Sequence, residues 1–528
     1  MRAQQPASGE PRTELTVRGL IIGILITLVF TAANVFFGLK AGLTFATSIP
    51  AAVISMAILR NFADATMQEN NIVQTVASSA GTLSAIIFVL PGLVMVGWWT
   101  GFPFWATFGI CATGGILGVM YTIPLRRALV TDSDLPYPEG VACAEVLKVG
   151  AGDRTAASGT ERYPGVATPM ETDEVVATAT GSSKAGLLAV VAGTLVSAVF
   201  AIVVATRVFA ASVTHYFHVG DRGAATGYDF SLSFALFAVG HLVGLWVGMA
   251  MLLGAVIAWA WAVPHYTMLA AAAGAAADVA HAAWSTKVRF IGAGTIGVAA
   301  IWTLGTLVKP VVSGLSAAMA SSRARKSGQG ASLPRTELDM PMGIVSLISL
   351  LCLFPIGWLL GSFSMQAGLG AHLWVLVIAG LAFVVIMGFL VSAICGYMAG
   401  LIGSSNSPLS GVGILVVIVA SLLLVAGIQS HASADAGKGL VAFALFITSV
   451  VFAVAAIANN NLQDLKTGQL VDATPWKQQA ALVVGVLVGA AVIPPVLDLL
   501  NEAYGFLGTP GVDPARALPA PQAGLISA

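Results

Sequence analysis

The chain has 528 residues, 57% of them hydrophobic and 9% charged, with a mean hydropathy of +0.90. A soluble domain carries about 25% charged residues, and a water-facing exterior cannot be built from this composition, so a water-soluble enzyme or scaffold is excluded and a bilayer protein is implied. The 24 basic and 24 acidic residues cancel and leave no basic stripe, which excludes nucleic acid as a partner.

Residues 1–16 are polar and read as a cytoplasmic tail. The first apolar run is about 20 residues long, too long for a signal-peptide core, and has no convincing cleavage site, so it reads as a retained helix. Apolar stretches long enough to span recur at 17–38, 41–61, 71–97, 101–123, 184–209, 231–263, 286–308, 342–361, 371–395, 411–429, 438–458 and 480–500. Their Gly and Ala let helices approach closely in lipid. Isolated strands would leave backbone groups unpaired in hydrocarbon. The fold class expected is therefore an all-α integral membrane protein of the cell (inner) membrane, multi-pass, in contact with membrane lipids. Polar segments interrupt the pattern at 124–183 and 309–341. Arg2, Arg12 and Arg18 place the N-terminus in the cytoplasm, and 124–183, with Arg126 and Arg127, returns there after four spans. The basic segment 309–341 then falls outside, against the positive-inside rule, unless 231–263 makes two short passes broken near Gly248 or Gly254. The expected count is twelve or thirteen spans. Cys111, Cys143, Cys352 and Cys395 form no CxxC pair and read as small packed thiols, so neither metal nor cofactor is expected.

The chain resembles itself. Gly38-x-x-Ala41-Gly42-Leu43-x-x-x-Thr47-Ser48-x-Pro50 returns, at identical spacing, as Gly396-x-x-Ala399-Gly400-Leu401-x-x-x-Ser405-Asn406-x-Pro408. Asn70-Asn71-Ile72-Val73-Gln74 is echoed by Asn460-Asn461-Leu462-Gln463, and Leu135-Pro136-Tyr137-Pro138-Glu139-Gly140 by Leu518-Pro519-Ala520-Pro521-Gln522-Ala523. Internal repeats mark secondary transporters, whose halves rock about a central site. A first repeat over 17–370 and an incomplete second over 371–528 are expected, parallel or inverted. About 200 residues with four or more helices follow the first Leu-Pro turn, but only ten follow Leu518, so a fragment or naturally truncated form is expected.

Polar groups in spans are costly and become functional candidates. The Gly38–Pro50 and Gly396–Pro408 segments read as broken or re-entrant helices, whose free backbone groups can hold ions or charged substrate ends. Ser404, Ser405 and Asn406, with Ser407, form the densest polar cluster; a kinked helix is the plain alternative. Asn70 and Gln74 share a helix face, with Asn71 beside them. Their amides both donate and accept, which suits a peptide backbone, although capping or interhelical bonding would use them equally well. Gln463 and Asp464 repeat the theme. Asp464 either carries a coupling proton, pairs with Lys466 or sits in a solvated loop. Glu139 suits the first turn of a helix after the Pro turn, and Glu145 can pair with Lys148. Both glutamates are coupling candidates, with a helix cap and a surface ion pair as the alternative. Asp278 and His281 read as an interfacial helix face rather than a relay. His215 and His218, beside Asp221, read as a solvated loop rather than a metal site, and Lys40 and Arg60 as snorkelling span ends.

The runs Asn34–Thr44, Asn70–Gly81 and Leu135–Lys148, with Gln463–Gly468 followed by Thr474-Pro475 and Lys477-Gln478, resemble the conserved blocks of the oligopeptide transporter (OPT) family, in its bacterial and yellow-stripe-like branch. The resemblance runs from about residue 15 to the end; the NPG and KIPPR motifs of the eukaryotic peptide branch are absent. It implies a helical bundle of up to about sixteen spans and proton-coupled import of small peptides or metal chelates, and it adds Asn34 and Thr44 to the substrate-binding candidates. Protons and one such substrate are then the partners; oligomeric state is not legible. A passive channel is the alternative. A membrane-embedded enzyme is less favoured, since HExxH, GxSxG and GxxxxGK[ST] are missing.

Overall fold

The structure, a computed structural model, describes residues 13–151, parts of 192–306, and 335–528 except 406, 408, 428–435 and 515. The chain forms two compact units, one of Met1–Leu187 with Leu304–Ala528 and one of Leu188–Thr303. Among the described residues nine helices are long and apolar enough to cross a membrane.

The larger unit opens with α1 (Val17–Ala41), capped by the Thr16 hydroxyl, which accepts from Gly19 N, and closed by Gly42 at φ +72°. Its 25 residues extend about 37 Å, enough for the hydrocarbon core. Residues 43–47 are not helical, and α2 (Ser48–Leu59) has 12 residues, about 18 Å. The full span expected at 41–61 is thus a break plus a helix too short to cross. α3 (Met67–Leu83) starts at the Thr66 cap, which accepts from Glu69 N, and continues through a tight 3₁₀ turn into α4 (Pro91–Met95). α5 (Phe104–Arg126) ends in a π turn to Thr131, and α6 (Pro138–Gly150) begins at the Pro turn. After residue 335 come α7 (Met342–Gln366), α8 (Leu373–Ile402), α9 (Leu409–Gly427), α10 (Ala436–Leu470), α11 (Pro475–Tyr504) and α12 (Pro521–Ile526). The spans at 67–95 and 437–470 are buried over 89% and 94% of their apolar windows, against 33% for 17–41 and 22% for 335–366. Helices α3 and α10 are therefore the protein-lined core, and α1 and α7 meet lipid.

Contacts fix the helix directions. α1 runs with α3: a Cβ on Gly19 would meet Glu69 and Val73, one on Gly23 would meet Val76, and Asn34 reaches Gly81 O. α8 runs with α10 in the same way, Gly380 against Ile447, Gly388 against Val454 and Gly396 against Leu462. α3 and α10 are antiparallel, since Gln68 donates to Val471 O while Phe88 packs on Phe452. The helix–break–helix units α1–α2 and α8–α9 are thus inverted with respect to each other. The Pro turns share the inversion. Tyr137 (φ 46°) and Ala520 (φ 37°) each precede a proline in the first turn of a helix; Tyr137 N donates to Gly400 O and Ala520 N to Leu39 O, both at 2.8 Å. Each turn is held by the helix that leads into the other unit's break. The amide match behaves differently. Gln478 bridges Thr75 and Asp464, so the Asn70 and Asn460 runs lie at one level of the bundle, where an inverting axis would separate them.

Charges are sorted to the end where α1 begins. Arg126, expected in a solvated loop, is fully buried where α5 ends; its Nε and Nη2 reach Asp339 at 2.6 and 2.9 Å, and Nη2 reaches Glu337 at 3.0 Å. Residues 124–131 and 335–341 therefore lie at one end; the basic stretch Ser321–Lys326 lies outside the described residues. Glu14 is buried at that end, accepting from Thr474 N and Oγ1 at 2.9 and 2.8 Å, with Lys477 Nζ at 3.5 Å.

The smaller unit contains an antiparallel hairpin, Ser212–Val219 with Ala224–Ser231, and helices at Leu245–Val256, Val263–Ala270 and Ala276–Ala283. His215 and His218 are on the hairpin's first strand rather than in a loop. A spacing of three sends them to opposite faces, because side chains alternate along a strand. Asp221 lies outside the described residues. Of the two readings left open for 231–263, a break near Gly248 or Gly254 is not seen: the helix runs through both and continues by a π turn to Ala262. Asp278 and His281 are exposed on the Ala276–Ala283 helix, with the His281 ring against Tyr216 and Trp259. All four cysteines are buried and free.

Candidate functional site: a buried polar layer between inverted helices

The larger unit gathers its polar side chains in one layer, where α3, α10 and the two breaks meet. Gly403, at φ +90°, turns the chain out of α8, a conformation that costs any residue with a Cβ. The turn aims the next two backbone N–H groups at Glu139 on α6. Ser404 N donates to Glu139 Oε2 at 3.0 Å and Ser405 N to Oε1 at 2.9 Å. The Ser404 hydroxyl lies within bonding reach of Glu139 Oε2 and of Asn460 Oδ1, the latter at 2.9 Å. Asn460 Nδ2 continues to Ser78 Oγ on α3 and to Asp464 Oδ2, 3.1 Å away. Asn459 holds the break from its other side, donating to Ser404 O at 2.9 Å and accepting from Ser407 Oγ. The two breaks touch where Ala46 N donates to Ser405 Oγ at 3.1 Å.

Asp464 has no exposure, and its Oδ1 has no hydrogen-bond partner among the described residues. The expected pairing with Lys466 is not made: positions two apart on a helix do not face each other, and Lys466 Nζ donates to Gln469 instead. The solvated-loop alternative also fails, because Asp464 is inside α10. Asn71 Nδ2, Gln74 Oε1 and Asn461 Oδ1 are likewise buried without a partner among the described residues. Buried polar atoms are normally bonded, so these four atoms on α3 and α10 are hydrogen-bonding capacity that the described residues leave unused.

Most of the other candidates make hydrogen bonds or ion pairs within the bundle. Asn34 ties the first break down, Nδ2 donating to Phe45 O and Gly81 O and Oδ1 accepting from Phe45 N. Thr44 is half-buried in that break. Asn70 accepts from Ser55 Oγ at 2.6 Å and donates to Thr66 O, which turns it to α2. Gln463 is used at both ends, accepting from Gly140 N at 2.7 Å and donating to Ala399 O at 2.6 Å. Glu145 stands apart, paired with Lys148 at 3.1 Å. Asn406 lies outside the described residues. Sequence reasoning missed Ser78, Asn459 and Gln478 as members of the layer; the run of three asparagines inside a long apolar helix was the available signal.

A layer of this kind between inverted broken helices is transporter architecture. The family model for OPT oligopeptide transporter proteins matches residues 14–528. The chain belongs to the oligopeptide transporter family. It is 48% identical over 504 residues to "Putative oligopeptide transporter" of Haemophilus influenzae, covering 93% of this chain and 74% of that protein. More distant similarity reaches "Metal-nicotianamine transporter YSL2" of Oryza sativa subsp. japonica, 27% identical over 26% of each chain. "Iron-phytosiderophore transporter YSL15" of the same plant is 28% identical over 29% of this chain and 28% of that protein. As an OPT family member with nine candidate spans among its described residues, the chain is a multi-pass protein of the cell membrane.

Proposed function

We propose that this chain imports small peptides or peptide-like metal chelates by proton symport, with alternating access between halves 17–370 and 371–528. The observation that carries the reading is the buried layer in which Glu139 and Ser78 from one half meet Ser404, Asn460 and Asp464 from the other. Groups at such a seam exchange partners when the halves rock, which gives a substrate different affinities for the two states, the requirement for driving the change. The atoms Asn71 Nδ2, Gln74 Oε1 and Asn461 Oδ1, each without a partner among the described residues while the other end of its amide is bonded, suit the donors and acceptors of a peptide-like backbone. Asp464, buried and bonded to an amide rather than a cation, is the group assigned to the coupling proton. The relatives are transporters, and no enzymatic role is assigned.

The test is uptake into proteoliposomes under an inward proton gradient, with a labelled tetrapeptide and a labelled iron chelate in parallel. Accumulation of either label above its external level, abolished by a protonophore, is expected. Equilibration without accumulation would contradict symport and indicate a pore; no uptake of either would sink both substrates.

A further inference from the structure

The break after α8 is built to bind a carboxylate, and in this structure the chain's own carboxylate fills it. Three donors converge on Glu139: Ser404 N, Ser405 N and the Ser404 hydroxyl. The nest is rigidly backed, because Asn459 holds Ser404 O and Gln463 ties Gly140 to Ala399. Gly403 is needed there, since a Cβ would lie 3.0 Å from Glu139 Oε1. The inverted counterpart lacks the acid: Gln522 stands where Glu139 does in the repeated motif and makes one long bond to the first break, Nε2 to Gly42 O at 3.4 Å. Two similar turns thus close the two breaks, one by a charged group with three bonds and the other by a neutral group with one.

We propose that the 403–405 nest is the carboxylate subsite for the transported substrate, and that Glu139 occupies it as a stand-in until substrate arrives. The proposal rests on the transport reading above and names the chemistry both substrate classes share, a carboxylate on an amino-acid skeleton. Charge then explains coupling. Asp464 on α10 faces Glu139, and Tyr137, on the same turn as Glu139, shares a cluster with Tyr397 of α8; the Glu145–Lys148 pair lies further along α6. Lys466 is engaged with Gln469, so the layer already holds two acids without a bonded cation. A third carboxylate is repelled unless a proton comes with it. A proton on Asp464, the group assigned to coupling, meets that requirement.

The experiment uses the purified full chain in detergent, titrated calorimetrically with N-acetylglycine and with its C-terminal amide. Glu139→Ala vacates the nest, and binding of the acid should tighten about tenfold, the size of a charge-assisted hydrogen bond gained, with the amide unchanged. Glu139→Gln keeps the side chain's shape and decides the matter if the alanine variant does not fold; it should shift the acid in the same direction and weaken the rise in acid affinity expected of the parent as pH falls. Equal affinity of Glu139→Gln for acid and amide, or no binding of either, would overturn the proposal. Acid-selective binding without uptake of any cargo would sink the transport reading and leave the subsite standing, whereas uptake without acid selectivity would do the reverse.

Discussion

Single residues carry a concentrated energetic risk where a charge is buried, as at Glu14, Glu69, Arg126 and Asp464. Arg126 has no exposure and shares Asp339 and Glu337. Removing one partner of a buried pair leaves an uncompensated charge, which costs about 3–5 kcal/mol. Asp339→Ala should therefore lower the detergent-solubilised melting transition well beyond an exposed control such as Glu502→Ala; equal melting of the two would contradict the buried pair. The Arg18–Asp64 pair behaves differently. Asp64 lies outside the spans, and its hydrogen bond from Arg18 holds its pKa below the ordinary value of 3.8. A depressed carboxylate stabilises the fold above its unfolded pKa and loses that contribution as pH falls through the folded one. Asp64→Asn should remove a small stabilisation present at neutral pH, converging with the parent at strongly acid pH; the effect is small because Asp64 is largely exposed. Melting curves across that range would show it, and a difference that grows toward acid pH would contradict the sign.

At the scale of elements, the helices are held together by close approach. A Cβ on Gly118 would lie 2.8 Å from Val454 O and 2.9 Å from Ile457 Cβ, so α5 rests on the α10 backbone itself. Gly118→Val should cost about 1–3 kcal/mol through overpacking and broaden the size-exclusion profile, whereas Gly343→Val, with open space around it, should not. Hydropathy made the long helices legible, since length and apolarity define a span and no partner need be known. It failed where geometry decides. Residues 41–61 pass as a span by mean hydropathy, yet the chain breaks at Gly42, within the Gly38–Pro50 segment read as broken, and only 12 residues are helical. Arg126 read as a loop charge because its partners stand more than 200 residues away. Glu139, Ser404 and Asp464 were legible as costly polar groups in apolar surroundings. Their connection through Asn460 was not, because it is made by folding alone.

At the scale of the whole molecule, the inverted units α1–α2 and α8–α9 meet at one polar layer, and we propose Asp464 as the proton carrier there. The measurement that tests this most directly compares the parent with Asp464→Asn in proteoliposomes, in two assays: net accumulation under a proton gradient, and exchange of labelled for unlabelled substrate without one. An amide fills the same space but carries no exchangeable charge, so rocking with substrate bound should survive while proton coupling is lost. The variant should exchange label at a rate close to the parent's and accumulate nothing. Net accumulation at the parent's level would show that the coupling proton is carried elsewhere and contradict the account.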